Sequence, residues 1–562
     1  MKNSYKILAT FGLFLGLGTP LLAQEETGGD EVKSVEIRVV EEYQAQVRSA
    51  HKISEQPSFA DNTSEKLPVD VKIKPKAMAL DFTPKPIPAI RLGRVKLPKL
   101  PTQSFSLGGG NYGSSLATFT LSSPRSKKNV WGVRAVHQGS LNGVNQVDYA
   151  NQAQYENEVL ADFQRATKHY NLKTQALIKA DYISYYGANT PLAVVLDTTP
   201  GNWQQQFGIS QQWLKTTNPT SKVKLAYRSG GVSYNYTNGG FNTTEHLAKT
   251  KHRFEIYGDE QDIMLDLGYQ YASVESWADT AAAAYQSFTV APFTSGQKGI
   301  LSYAFGVNFT GTQSTGLATD RFEYYVFPKI NLQAELLRRV LAVYAGWDGT
   351  AHQNTLQSIM NEVPFITMNQ EYRLSGTNRI YGGAQGALAG KLQYRAEASI
   401  TAMSNALVFG RDSTMFTAVE GENIAALQAM YAGNVVKSTV RGELNLPLKD
   451  FVASTFLELN AYNQDPFLAQ EGQVIGGMLT YAINELSVGA NFKYVSGRFN
   501  GAGYDLFPLE DYMDLSARID YEINANLSLS VRAYNLLNQR YMMWQGYGVR
   551  GTRGMFVLNY QF

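Results

Sequence analysis

The chain has 562 residues, of which 17% are charged and 12% aromatic, and it contains no cysteine. Its 50 basic and 48 acidic residues give a formal net charge of +2, which does not provide the strongly basic surface that nucleic acids require. The absence of cysteine excludes disulfides, thiolate metal sites and a cysteine nucleophile. A soluble chain of this length would normally divide into several domains, so a single large membrane β-barrel is the main alternative.

Residues 1–23 have the pattern of a secretory signal peptide. Lys2 and Lys6 supply positive charge, residues 7–22 are largely apolar, and Ala23 offers a cleavage site. No later run approaches the roughly 20 apolar residues that a membrane-spanning helix needs. We therefore expect export from the cytoplasm, and any crossing of a membrane would require a closed β-barrel.

Residues 24–102 form a separate region that is rich in proline and in basic residues. Proline fixes φ and lacks a backbone donor, so this density predicts an extended periplasmic arm rather than helix or sheet. Asp81 is the one acidic residue among eight basic ones, and two interpretations stay open: a docking segment for a periplasmic partner or a stiff, solvated linker. The basic residues of this arm are Lys72, Lys74, Lys76, Lys85, Arg91, Arg94, Lys96 and Lys99.

From residue 103 to residue 562, segments of alternating apolar and polar residues recur between clusters of Gly, Asn, Asp and Ser. In residues 513–523 the apolar side chains occupy every second position, and Asp514, Arg518 and Glu522 lie between them. Because side chains alternate across a strand, one face is apolar and the other charged. Many segments reach ten residues, so the pattern predicts an all-β fold, a large antiparallel transmembrane β-barrel of about 22 strands.

Two parts of this region fit the strand pattern less well. Residues 280–299 and 415–433 are the weakest strand segments, because pattern and length disagree there. Residues 354–363 carry apolar residues at helical spacing and predict a short helix in one loop. That loop is either an element of the barrel rim without a binding role or part of a binding surface.

Motifs for catalysis or cofactor binding are weak. Residues 108–113 fit the dinucleotide pattern G-x-G-x-x-G, but no helix follows them, so they predict a first hairpin instead. The six histidines show no metal-site spacing, and His137 is the single catalytic candidate that the sequence suggests. The sequence therefore predicts a protein that is not an enzyme and that binds no cofactor and no metal.

The C-terminal quarter carries an N-L-x-N-x-x-Y segment, formed by Asn535, Leu536, Asn538 and Tyr541, and a closing segment with Gly551, Tyr560 and Phe562. The first matches and the second approximately matches the end of TonB-dependent receptor barrels, which this part of the chain resembles. The resemblance implies a 22-stranded barrel in the cell outer membrane, in contact with its lipid. It does not extend to residues 24–102, where the family has a globular plug, so TonB-driven import is not implied.

The final segment, residues 555–562, has one apolar face and ends on an aromatic residue. In outer-membrane barrels such a strand is the signal that the barrel assembly machinery recognises, and the resemblance implies this role here. The face consists of Phe556, Leu558, Tyr560 and Phe562.

Two functions remain open from the sequence. The first is a transport or channel protein whose polar lumen admits a small solute, which the charged strand faces favour. The second is a structural or interaction subunit of an outer-membrane complex whose basic arm docks a periplasmic partner, which the missing plug favours.

Overall fold

The computed structural model describes most of the chain from residue 102 onwards. The predicted signal peptide and the basic arm from Lys72 to Lys99 lie outside the described residues. The described ranges are 102–124, 126–144, 151–186, 201–216, 226–240, 243–256, 262–275, 283–315, 320–366, 372–411, 418–419, 422–423, 427–463, 471–500, 507–544 and 546–562.

Twenty-two strands form one antiparallel sheet, in which each strand pairs with its neighbours in the sequence. We number them β1 to β22 in chain order. They are β1 (Gln103–Gly110), β2 (Ser115–Ser122), β3 (Asn129–Ser140), β4 (Gln154–Ala166), β5 (Tyr170–Ser184), β6 (Gly201–Lys215), β7 (Ala226–Gly240), β8 (Thr243–Ile256), β9 (Asp262–Glu275), β10 (Ala283–Lys298), β11 (Leu301–Thr315), β12 (Arg321–Leu337), β13 (Leu341–Gln353), β14 (Leu374–Leu388), β15 (Leu392–Ser404), β16 (Val435–Pro447), β17 (Phe451–Tyr462), β18 (Gln473–Ile483), β19 (Leu486–Ser496), β20 (Tyr512–Glu522), β21 (Leu527–Tyr534) and β22 (Arg553–Gln561).

The sheet closes into a barrel because β22 pairs with both β21 and β1. Across the closing ladder Leu107 lies opposite Leu558, and the backbone N–H of Phe562 donates to the carbonyl of Gln103 over 2.9 Å. Every strand of the sheet therefore has two partners, and the sheet has no unpaired edge. The predicted all-β barrel and its strand number are confirmed.

The two faces of the wall carry different chemistry. On β20, Met513, Ile519 and Tyr521 are exposed on one face, whereas Arg518 and Asp520 make an ion pair of 3.4 Å on the alternate positions. Apolar side chains from neighbouring strands share the same outer face, because the registers place apolar residues opposite one another. An exposed apolar belt around a closed wall is typical of a membrane barrel.

The two ends of the barrel differ in the length of their connections. At one end, residues 299–300, 389–391 and 484–485 connect strands in two or three residues. At the other end most of the connections are longer, and they include residues 354–373 and 405–434. We call these the short-turn end and the long-loop end.

The predicted short helix is present as α1 (Leu356–Glu362) in the loop between β13 and β14. It begins at Thr355 with a capping box, in which the Thr355 hydroxyl accepts from the backbone N–H of Ser358 over 3.0 Å. Within the described ranges, no helix is sufficiently long and apolar to span a membrane. Of the segment 108–113, residues 108–110 end β1 and residues 111–113 lie in the turn to β2, as the hairpin prediction requires.

The family-like segment that follows β21 forms a turn, and its asparagines have a backbone role. Asn535 and Asn538 adopt φ values of 47° and 49°, a left-handed conformation that asparagine tolerates better than most residues. The Asn535 side chain accepts from the backbone N–H of Gln539 over 3.0 Å. Tyr541 then stacks flat on Tyr512, with 3.9 Å between ring centroids.

Replacing Ile519 with arginine should destabilise the barrel in lipid, because the charge would face the apolar outer side. The expected loss is about 2–4 kcal/mol near the bilayer midplane and less toward its surfaces. The control, Arg518→Leu, removes a partly exposed ion pair and should change stability by about 1 kcal/mol or less. Denaturant titrations of both variants in lipid vesicles measure this, and equal losses would contradict the assignment of the two faces.

Candidate functional site

Five long loops meet at the long-loop end in one apolar cluster, which we call the loop cap. They follow β3, β5, β13, β15 and β21, and their buried side chains pack against inner-wall residues such as Leu247 and Val274. Burial of this apolar surface holds loops together that are distant in the sequence. The loop residues of the cap are Val144, Tyr185, Tyr186, Leu356, Ile359, Met360, Val363, Phe365, Ile366, Tyr372, Phe409, Leu427, Ala429 and Tyr547.

Aromatic rings from three loops form the centre of the cap. Phe365 stacks on Tyr547 with 3.8 Å between centroids, and Tyr186 meets Tyr547 edge-on at 5.2 Å. The Tyr186 hydroxyl donates to the carbonyl of Gly548 over 3.1 Å. Burial raises the pKa of Tyr185 and of Tyr186 to about 12, so both rings stay neutral at physiological pH.

Glu245 on β8 ties helix α1 to the inner wall. Its carboxylate is fully buried and accepts from the backbone N–H of Leu356 over 2.7 Å and of Gln357 over 3.3 Å. It also accepts from the hydroxyl of Tyr285 over 3.0 Å. The first N–H groups of a helix have no partner within the helix, and a carboxylate there is favoured electrostatically. Glu245 therefore supplies the helix with its missing acceptor.

Two glutamine side chains on β6 also form hydrogen bonds to the loop that contains α1. Gln204 donates to the carbonyl of Pro364 over 2.8 Å, and Gln206 donates to the side chain of Asn361 over 3.3 Å. Both glutamines are buried at alternate positions of β6, so they lie on one face of the wall, with Trp203 exposed on the other. The α1 loop thus lies against the inner face at the barrel mouth.

The inner face carries charged groups of both signs. On β15, Glu397 makes an ion pair of 2.6 Å with Arg395 and a second pair with Arg379 of β14. The hydroxyl of Tyr344 on β13 donates to the same carboxylate over 3.0 Å. Three neighbouring strands thus contribute to one hydrogen-bonded network.

A second charged network lies on β16 and β17. Arg441 makes ion pairs of 2.6 Å with Glu443 and 2.8 Å with Glu458, and Lys437 lies 3.4 Å from Glu458. This second network faces the β15 network across a small cavity of about 190 Å³, which is lined by Arg395, Glu397, Arg441 and Glu443. Such a lining favours water and polar solutes over apolar ones.

Among the described residues, no group of three or more His, Asp or Glu side chains is placed to hold a metal ion. The role of Glu245 could not be predicted from the sequence, because its two partners on α1 lie more than 100 residues further along the chain. In the sequence Glu245 stands between Thr244 and His246, and nothing in that segment identifies its partners.

The predicted closing face is on the outer side of β22. Phe556, Leu558, Tyr560 and Phe562 are exposed there, and the rings of Tyr560 and Phe562 meet edge-on at 4.6 Å. Their recognition by the assembly machinery stays a prediction.

The chain matches no family model and no curated protein. Solved structures do match its fold. The FrpB iron transporter of Neisseria meningitidis (F3-3 variant) aligns with a TM-score of 0.63 at 9% identity, over 83% of this chain and 82% of that chain. The copper transporter OprC aligns with a TM-score of 0.61 at 11% identity, over 83% and 80% of the two chains.

The ferric yersiniabactin uptake receptor FyuA of Yersinia pestis is also similar, with a TM-score of 0.57 at 12% identity over 83% of this chain and 81% of that chain. The chain has the barrel fold of TonB-dependent receptors. The resemblance predicted from the C-terminal residues is therefore confirmed for the barrel. At these identities the likeness concerns the fold and no ligand is carried over.

Replacing Phe562 with serine should strongly reduce barrel assembly, because it removes the terminal ring of the outer face next to the β1–β22 seam. The measurement is the fraction of heat-modifiable, folded protein in the outer membrane. The neighbouring change Gln561→Ser, which leaves the aromatic face intact, should assemble normally. Normal assembly of the Phe562 variant would contradict the proposed insertion signal.

Proposed function

We propose that this chain is an outer-membrane transport barrel whose lumen provides the path for a small hydrophilic solute. One observation carries the proposal: a closed wall of 22 strands encloses the charged face and turns the apolar face outward. A barrel of this size is wide enough for water unless side chains or a plug fill it. The names of the similar transporters support the same general function.

In the proposed orientation, the short-turn end faces the periplasm and the long-loop end faces the outside, as in bacterial outer-membrane barrels. The loop cap then covers the outer mouth. Solute would reach the lumen when the cap opens or through gaps beside it. Because the charges of the two inner-face networks are paired, we propose an uncharged or zwitterionic polar solute rather than a single ionic species.

The basic arm belongs to the second function that the sequence left open. It lies outside the described residues, and docking to a periplasmic partner stays a prediction. Deleting residues 25–101 tests it directly. Loss of co-purifying proteins would support docking, and an unchanged set would exclude it.

Glu245→Ala should loosen the loop cap and increase conductance in a planar bilayer. The substitution leaves three donors without their acceptor, and each of the two buried ones costs about 1–3 kcal/mol. A loss of this size shifts the equilibrium between a closed and an open loop cap by a factor of ten or more. We expect brief or small openings from the wild type and larger or longer openings from the variant.

The matched control is Glu255→Ala, which removes the same group from the same strand near the short-turn end. It should leave conductance at the wild-type level. Identical conductance of the wild type and Glu245→Ala, with both barrels folded, would contradict a gating role for the cap. Complete silence from both would contradict an open path.

A further inference from the structure

A serine, a histidine and an asparagine from three adjacent strands form a connected chain on the outer face of the wall. Ser115 Oγ lies 3.0 Å from His137 Nε2, and His137 Nδ1 lies 2.8 Å from Asn157 Oδ1. Ser115 begins β2, His137 is on β3 and Asn157 is on β4. All three side chains are half-buried, so they are neither sealed in the wall nor fully solvated.

The register of the sheet places this trio outside the lumen. His137 lies opposite Ala117 and Asn157, and two positions along the same strands Phe119 and Val159 are exposed. Alternation therefore assigns the trio to the apolar outer face. The ion pair between Arg134 and Glu158 occupies the other face of the same strands.

The hydrogen bonds define the tautomer of the histidine. Asn157 Nδ2 donates to the carbonyl of Ala180 over 2.6 Å, so Asn157 Oδ1 is the atom that faces the ring. Because Oδ1 can only accept, His137 Nδ1 carries the proton. His137 Nε2 is then an acceptor for the hydroxyl of Ser115. This is the arrangement of a nucleophile, a general base and an orienting group.

A local irregularity of the sheet positions the orienting amide. The backbone ladder between β4 and β5 is interrupted at Glu156 and Asn157. The backbone N–H of Asn157 instead donates to Asp181 Oδ1 over 3.2 Å, while its side chain takes the carbonyl of Ala180. In a regular ladder the backbone groups of Asn157 and Ala180 would bond to backbone groups of the neighbouring strand, and neither side-chain bond would form.

A row of aromatic side chains runs from the trio across the next strands at the long-loop end. The ring of His137 stacks on that of Tyr155, with 6.1 Å between the centroids. The centroid distances from Tyr155 to Tyr182 and from Tyr182 to Trp203 are 5.9 Å and 5.2 Å. A row of tyrosine and tryptophan on the outer face of a barrel is typical of the boundary between lipid and water. An ester at that boundary could reach Ser115 while water remains close.

We propose that Ser115, His137 and Asn157 form an acyl-ester hydrolase site on the outer wall, with the carboxylic ester of a bilayer lipid as its substrate. Ser115 Oγ bonds to the ester carbonyl carbon and its proton passes to His137 Nε2. The carbon–alkoxy bond then breaks, and His137 returns the proton to the leaving alcohol. Water hydrolyses the acyl-serine by the same base and releases the fatty acid. This proposal depends on the membrane location but not on transport.

The test uses purified full-length barrel in vesicles of phosphatidylethanolamine and phosphatidylglycerol. We expect release of free fatty acid and covalent labelling of Ser115 by a fluorophosphonate, identified by mass spectrometry. Ser115→Ala should abolish both, and His137→Ala should reduce both by about 100-fold or more, the usual contribution of a general base. Ser114→Ala is the matched control, because Ser114 is buried and bonded to Ser140 instead.

Asn157→Asp separates a positioning role from a merely structural one. A carboxylate beside His137 favours the imidazolium, so the acid limb of the pH–rate profile should move to higher pH. Heat-modifiable migration shows that each variant is folded. Failure of the folded wild type to label at Ser115, or hydrolysis that survives Ser115→Ala, would overturn the site. Hydrolysis of a soluble p-nitrophenyl ester without any release from vesicles would overturn the lipid substrate.

Discussion

The hydrogen bonds between the first and last strands are the constraint on which the rest of the structure depends. Backbone groups that face lipid have no water to satisfy them, so a sheet that spans a membrane must have no edge. The pairing of β1 with β22 meets this requirement and joins residues that are more than 400 positions apart in the chain. Closure also separates lipid from the water of the lumen, because every side chain of the wall then faces either the outside or the lumen.

The polar groups of the described wall follow from this separation. Arg379, Arg395 and Glu397 point inward and satisfy one another, as do Arg441 and Glu458. At the long-loop end the same inner surface becomes apolar and supports the loop cap, with Glu245 as the polar anchor. The outer face is apolar over most of its area. On that face a serine, a histidine and an asparagine are joined by hydrogen bonds, and this arrangement calls for a chemical explanation.

Much of the fold could be predicted from the sequence, because strand alternation is a local property. The alternation in residues 513–523 defined both faces of β20, and the apolar spacing in residues 354–363 predicted α1. Residues 280–299 were ambiguous because the alternation pattern and the segment length disagree there. The structure shows a full strand there, β10, and the ladder to β11 is interrupted at Pro292, where proline lacks a donor.

The candidate sites could not be predicted in the same way, because they depend on register. Ser115, His137 and Asn157 are separated by about 20 residues each, and a shift of one residue between strands would turn one of them into the lumen. The bond from Leu356 to Glu245 spans 111 residues and depends on where a loop folds. The sequence named His137 alone, and its partners became visible only when the strands were aligned.

The most direct test of the account is labelling of single cysteines along β20 in vesicles, which is possible because the chain has no cysteine of its own. A water-soluble maleimide should label cysteines at positions 514, 516 and 518, which face the lumen. It should not label cysteines at positions 515, 517 and 519, which face lipid. Labelling at every position would contradict a membrane-embedded wall, and labelling at none would contradict a water-filled lumen.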